Sequence, residues 1–206
     1  MLKGVTHIGH ASIKIHKNKI IYIDPFNIKE SLNDADFIFC THSHYDHLSI
    51  ADIRKILKSD TTIIVPKEAE EKVKELNIKI ISVEPGKFYS LDSIAFETTW
   101  AYNIGKQFHP REKKWVGYII KIDQIKYYHA GDTDSVAEIQ EIQVDVAFLP
   151  VGGTYTMNWK EAAILANKIK PKIAIPIHFG DIVGSKSDAQ LFLNELLSPV
   201  EGKILI

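Results

Sequence analysis

One cysteine, two arginines (Arg54 and Arg111) and no long apolar run mark what this chain of 206 residues goes without. A lone Cys40 excludes an internal disulfide, in keeping with a reducing compartment. It closes the apolar run Phe37, Ile38, Phe39 and reads as a buried structural thiol. Scarce arginine argues against a surface built from bidentate phosphate forks. Neither sign of charge is in excess: 25 basic and 26 acidic side chains leave a formal net charge of -1. Such a chain has no field that would gather a nucleic acid or an anionic membrane, so no nucleic-acid partner is favoured. No segment reaches bilayer-spanning length, and residues 1–7 lack the apolar core of a signal peptide, so a cytoplasmic protein is expected. Repeats, linkers and low-complexity tracts are missing too. The expectation is a single domain over residues 1–206, with a small-molecule partner and nothing that excludes a homo-oligomer.

What is present alternates between strand and helix patterns. Strands are predicted at 11–16 and 19–24 around a turn at Lys17-Asn18, and a short buried one at 36–40. Ser49 with Asp52 is a capping-box signature ahead of Ile50, Ile53, Ile56 and Leu57, which share one helical face. A strand at 61–65, a helix at 67–76 and a strand at 78–83 continue the alternation. The middle is strand-rich, with strands at 87–91, 94–100 and 116–122 and a polar loop at 103–114. Strands at 126–129 and 144–149 follow, with a short helix near 136–142 between them. A helix at 159–169, a strand at 172–177, a helix at 189–197 and a last strand at 203–206 complete the pattern. Strands and helices in two similar halves suit an α/β sandwich in which two β-sheets are flanked by helices on both outer sides.

Between the strand at 36–40 and the helix after Ser49 lies His42-Ser43-His44-Tyr45-Asp46-His47. Three imidazoles and a carboxylate within six residues, directly after a buried strand, are hard to explain as a solvated turn. Neutral imidazoles and carboxylates suit zinc, manganese or iron, and residues one spacer apart on a loop can point at one ion.

This His-x-His-x-Asp-His segment resembles the hallmark of the metallo-β-lactamase superfamily. Gly9-His10-Ala11-Ser12, Ala130-Gly131-Asp132-Thr133 and Pro176-Ile177-His178-Phe179-Gly180 extend the resemblance over almost the whole chain. It is most similar to the branch that contains L-ascorbate-6-phosphate lactonase. The resemblance implies the αββα four-layer metallo-β-lactamase fold and one or two divalent ions. It places His42 and His44 on a first metal, Asp46, His47 and His178 on a second, and Asp132 on both. It further implies a metal-bound hydroxide that attacks an ester, lactone or phosphoester of a small molecule, with Asp46 and Asp132 in the catalytic centre. His10 would face the cavity as a substrate contact or proton carrier, or else be a core histidine. Asp24, in an Asp-Pro pair, would orient a metal-bound imidazole, or else simply form a turn.

The sequence departs from the family where the first metal's third ligand is expected. Asn103 stands at the best-matching position, and His109 six residues later is the alternative ligand. Asparagine suits manganese better than zinc, so both the number and the identity of the ions stay open. A metal-binding or regulatory protein with a degenerate first site, and a nuclease, are the competing readings. The Gly152-Gly153 loop resembles a family loop in which Tyr155 and Met157 would shape the pocket, or is an ordinary strand-to-helix turn. His7, His16 and His129 read as structural.

Overall fold

The apolar alternation near the start forms an antiparallel meander in the structure, a computed structural model that describes residues 1–91 and 94–205. Strands β1 (Val5–Gly9), β2 (Ser12–His16) and β3 (Ile20–Ile23) pair in succession. Their inward residues Ile13, Ile15, Ile21 and Ile23 are buried. β1 escapes the sequence pattern because no residue of it is fully buried. Gly9 pairs directly with Ser12, so the β1-β2 connection is two residues long, and His10 turns it at φ 51°.

The sheet then becomes parallel through β4 (Ala35–Phe39), β5 (Leu57–Pro66) and β6 (Lys79–Val83), in the order β1-β2-β3-β4-β5-β6. Helix α1 (Ile50–Ile56) links β4 to β5, and the Ser49 hydroxyl caps it by accepting from Asp52 N. The continuous helix expected over 67–76 is instead a 3₁₀ turn (Lys67–Ala69), helix α2 (Glu70–Val73) and a second 3₁₀ turn (Lys74–Leu76). Its buried anchors Ala69, Val73 and Leu76 fall about one per turn, a spacing that tolerates local tightening. Ile53, Ile56, Val73 and Leu76 pack against Tyr22, Ile38, Ile63 and Val65 of the strands.

The second sheet runs β13-β12-β11-β10-β9-β8-β7. Its strands are β7 (Phe88–Leu91), β8 (Ile94–Trp100), β9 (Val116–Ile122), β10 (Ile125–His129), β11 (Val146–Pro150), β12 (Ile173–Ile177) and β13 (Glu201–Gly202). β7 to β10 pair antiparallel and β10 to β13 parallel, so both sheets are mixed. β11 and β12 are buried along their whole length, which explains their unbroken apolar runs. Helix α3 (Trp159–Ile169) lays Ala162, Ala163, Leu165, Ala166 and Ile169 against Ala147, Leu149 and Ala174, together with Phe192 of helix α4 (Lys186–Asn194). Each large side chain so buried contributes about 1.5–3 kcal/mol.

Other expected elements differ as well: β5 starts at Leu57, four residues before the expected strand at 61–65. The helix near 136–142 is only a 3₁₀ turn, Ala137–Ile139, where Glu138 is held by Arg111 and Tyr102. The second C-terminal helix begins at Lys186, three residues before the expected start, because Ser185 and Asp188 form a capping box. The last strand lies at Glu201–Gly202, not 203–206; Lys203 N still reaches the Ala174 carbonyl, and residue 206 lies outside the described residues.

The fold is therefore two mixed β-sheets flanked by helices. The chain divides into two compact units, an N-terminal one (Leu2–Glu84) carrying the first sheet and a C-terminal one (Pro85–Leu205, with Met1) carrying the second. Among the described residues no helix is long and apolar enough to cross a membrane.

Candidate metal centre

In the N-terminal unit the His-rich loop leaves the C-terminal end of β4, with parallel strands on both sides. Asp24, wholly buried at the end of β3, organises it. Its carboxylate accepts from Thr41 N and Thr41 Oγ1, each at 2.7 Å, and from His47 Nδ1 at 2.7 Å. Asp24 N in turn donates to the Phe39 carbonyl at 2.8 Å, and the residue sits at φ 47°. Donation from Nδ1 fixes the neutral His47 ring as the tautomer whose Nε2 carries a lone pair. That Nε2 lies 3.6 Å from Asp46 Oδ2, and His10 Nε2 approaches the same oxygen at 3.0 Å. His42 Nε2 and His44 Nδ1 are 3.1 Å apart, and the His42 and His47 ring centroids 4.0 Å. Cys40 neighbours this network; burial, then the Asp24 charge, pushes its thiol well up, as befits a structural residue.

In the C-terminal unit Asp132 follows β10 through a turn at Gly131, whose N–H donates to His129 Nδ1 at 3.2 Å. One Asp132 oxygen, Oδ2, lies 3.1 Å from His178 Nε2 and 3.3 Å from His109 Nε2, and all three side chains are buried. His178 leaves the end of β12 at φ 58°. Gly152 packs directly on it: a Cβ there would stand 2.3 Å from the His178 carbonyl oxygen. The structure thus gives Gly152 a packing role, a close backbone approach that admits no side chain.

Asn103 and His109 are not interchangeable in this arrangement. The Asn103 Oδ1 accepts from His109 N at 3.0 Å and faces His109 Nδ1 at 3.0 Å, while its Nδ2 donates to the Tyr155 carbonyl at 2.9 Å. That carbonyl is also 3.1 Å from His109 Nδ1. Two acceptors around Nδ1 place the proton there, leaving the lone pair on Nε2, which faces Asp132. Asn103 holds the loop, and His109 points at the carboxylate.

These contacts test whether the residues fit a metal ion. A lone pair of a neutral imidazole and a carboxylate oxygen repel unless a cation lies between them. His47 with Asp46, and His109 with Asp132, both have this form, and His178 shares the second carboxylate oxygen. The donor–donor spacings run from 3.1 to 3.6 Å. The edge of a tetrahedron of ligands about 2.0–2.1 Å from zinc is about 3.3 Å. Donor chemistry, burial and spacing all suit divalent ions.

Other residues singled out by the sequence fall elsewhere. Met157 is fully buried in the hydrophobic cluster, His16 is exposed, and His7 Nε2 lies 2.8 Å from the His10 carbonyl. Sequence reasoning passed over Asp134, which accepts from Ile104 N at 2.7 Å and Lys106 Nζ at 2.6 Å and so pins the loop that carries Asn103. A second acid two residues after Asp132 was the available signal. Thr41, tied to Asp24 by two bonds, had none.

A family model for the β-lactamase superfamily domain matches residues 4–178. A UPF0173 metal-dependent hydrolase of Nanoarchaeum equitans is 33% identical over 200 residues, covering 91% of this chain and 89% of that protein. Another, from Anoxybacillus flavithermus, is 30% identical and covers 92% of both. The crystal structure of a candidate metal-dependent hydrolase from Parabacteroides distasonis superposes with a TM-score of 0.84 at 31% identity, covering 98% of this chain and 91% of that one.

Proposed function

The chain belongs to the metallo-β-lactamase superfamily as one of its metal-dependent hydrolases, and we propose that it cleaves an ester, lactone or phosphoester bond of a small molecule. In this reading His42, His44 and His109 hold one divalent ion, Asp46, His47 and His178 a second, and Asp132 serves both. Zinc or manganese suits the nitrogen and oxygen donors, and iron is chemically compatible. Bound divalent ions supply Lewis acidity, making water acidic enough to attack near neutral pH and offsetting charge that develops on oxygen.

The observation that carries this reading is the shared Asp132 oxygen, 3.3 Å from His109 Nε2 and 3.1 Å from His178 Nε2. Asn103 supports the same conclusion: it leaves the first site a full set of imidazoles by orienting His109. Asp24 keeps His47 in one tautomer and one orientation. His10, 3.0 Å from Asp46, steadies that carboxylate and is placed to carry a proton to or from it. We place the chain in the branch of L-ascorbate-6-phosphate lactonase and in the cytoplasm.

The test is elemental analysis of protein purified without chelator, joined to turnover of a panel of phosphodiesters, lactones and esters. Two ions per chain are expected, falling to about one in His109→Ala, with a milder loss in Asn103→Ala because its role is indirect. A metal-loaded protein that cleaves no member of the panel overturns the reading.

A further inference from the structure

Each unit's ligand cluster is bordered by its own pair of aromatic rings, and one ring of each pair is strongly exposed. In the N-terminal unit Phe26 packs edge-on against His10, with centroids 6.0 Å apart, and Tyr45 packs edge-on against Phe26 at 6.0 Å. Tyr45 stands inside the ligand segment, between His44 and Asp46, yet is 66% exposed. In the C-terminal unit Phe108, next to His109, is 46% exposed and packs edge-on against Tyr155 at 4.6 Å. The backbone carbonyl of Tyr155 is the one that His109 Nδ1 faces.

Neither exposed ring is explained by the core. A buried aromatic side chain contributes its area to folding, whereas these leave most or much of theirs in water. The edge-on contacts fix ring orientation at residues adjacent in sequence to metal-ligand candidates. Three charges that lie on or reach these loops point the same way. Lys72 Nζ donates to the Ser43 carbonyl, and Lys106 Nζ is held by Asp134 and the Thr156 carbonyl. The Arg111 guanidinium is stacked on Trp100 and Tyr102 and bonded to Glu138. These three cations are already engaged within the protein, so they form no ready array for a small polyanion.

Resting on the hydrolase reading above, we infer that the preferred substrate carries a flat, apolar group, aromatic or of similar shape, beside the bond that is cleaved. Tyr45 is the specificity-determining residue: it offers its ring to that group, and Phe26 holds the ring in place. Tyr45 acts through its ring and not through its hydroxyl.

Binding tests this without turnover. Phenylphosphonate and methylphosphonate share one charged end and differ only in the apolar group. Titrated by calorimetry into the metal-loaded full chain, phenylphosphonate is expected to bind more tightly by roughly fivefold or more. Tyr45→Ala reduces that ratio toward one, and Tyr45→Phe keeps it. Equal affinity of the two probes, failure of both to bind, or a ratio that survives Tyr45→Ala overturns the inference. The hydrolase reading is judged separately, by turnover of the panel, so a protein can fail either test while passing the other. If turnover is found, bis(p-nitrophenyl) phosphate should show a lower KM than methyl p-nitrophenyl phosphate, which has the same leaving group, and Tyr45→Ala should remove that difference.

Discussion

Asp24 accepts three bonds of 2.7 Å in a fully buried setting: one comes directly from His47, and another from Thr41 Oγ1, which itself lies 3.0 Å from His42 Nδ1. Replacing the carboxylate by asparagine keeps the size but removes the charge that holds the imidazole N–H. Asp24→Asn is therefore expected to weaken metal affinity by about 10–100-fold, read by competition with a chromophoric chelator. At Asn103 the expectation is graded: Asn103→Asp keeps an acceptor for His109 and retains more metal than Asn103→Ala. At this scale the contiguous cluster from His42 to His47 was legible because chain connectivity alone brings its members together. The roles of Asn103 and His109 were not, because a loop of six residues allows either to turn inward. What separates them is the Tyr155 carbonyl, a backbone group 46 residues further on that carries no side-chain signature. Asp134 was missed for the same reason, since its partners are loop N–H and lysine groups about thirty residues away.

Elements were predictable where periodicity and capping agreed. β8, β9 and α3 fall at their expected limits, and α3 is bounded by an Asn158–Glu161 capping box. Asn158→Ala should cost about 1 kcal/mol in urea unfolding, with metal content unchanged. Gly152 gives the opposite profile. Its substitution by alanine forces a Cβ into the His178 carbonyl, so the backbone carrying His178 must move. Gly152→Ala is expected to lower metal content, measured per chain, even in preparations whose circular dichroism is native. The short elements were the least legible. β1 has no fully buried residue, and the 3₁₀ turn at Ala137–Ile139 is held through Glu138 by Tyr102 and Arg111, partners distant in sequence, not by a helical repeat.

For the molecule as a whole, near-neutral charge leaves pH dependence to particular carboxylates. Burial would raise the Asp36 carboxyl, but the Lys58 ammonium, the Ile20 N–H and Lys19 outweigh it, so it lies below the ordinary 3.8. Asp52 is likewise lowered, its burial outweighed by Lys55, Ser49 and the Asn27 N–H. A carboxyl that is more acidic folded than unfolded stabilises the fold above its unfolded value, and that contribution disappears as pH falls through the folded value. Thermal midpoints should therefore drop as pH falls below about 4, and Asp36→Asn should flatten that part of the curve. A chelator at neutral pH should also lower the midpoint, by an amount that rises with the metal affinity removed. The layered α/β class was readable from the strand-helix alternation, while the division into two compact units rests on long-range contacts that no local pattern encodes. His10, Asp24 and His178 all occupy left-handed backbone, a conformation that costs an L-residue other than glycine about 1–2 kcal/mol. None of the three is glycine, so at these turns the chain forgoes the residue that would fold most easily. A copy of this gene released from its activity and selected for folding alone should drift to glycine first at His10 and His178, and the time since such a release would be written there.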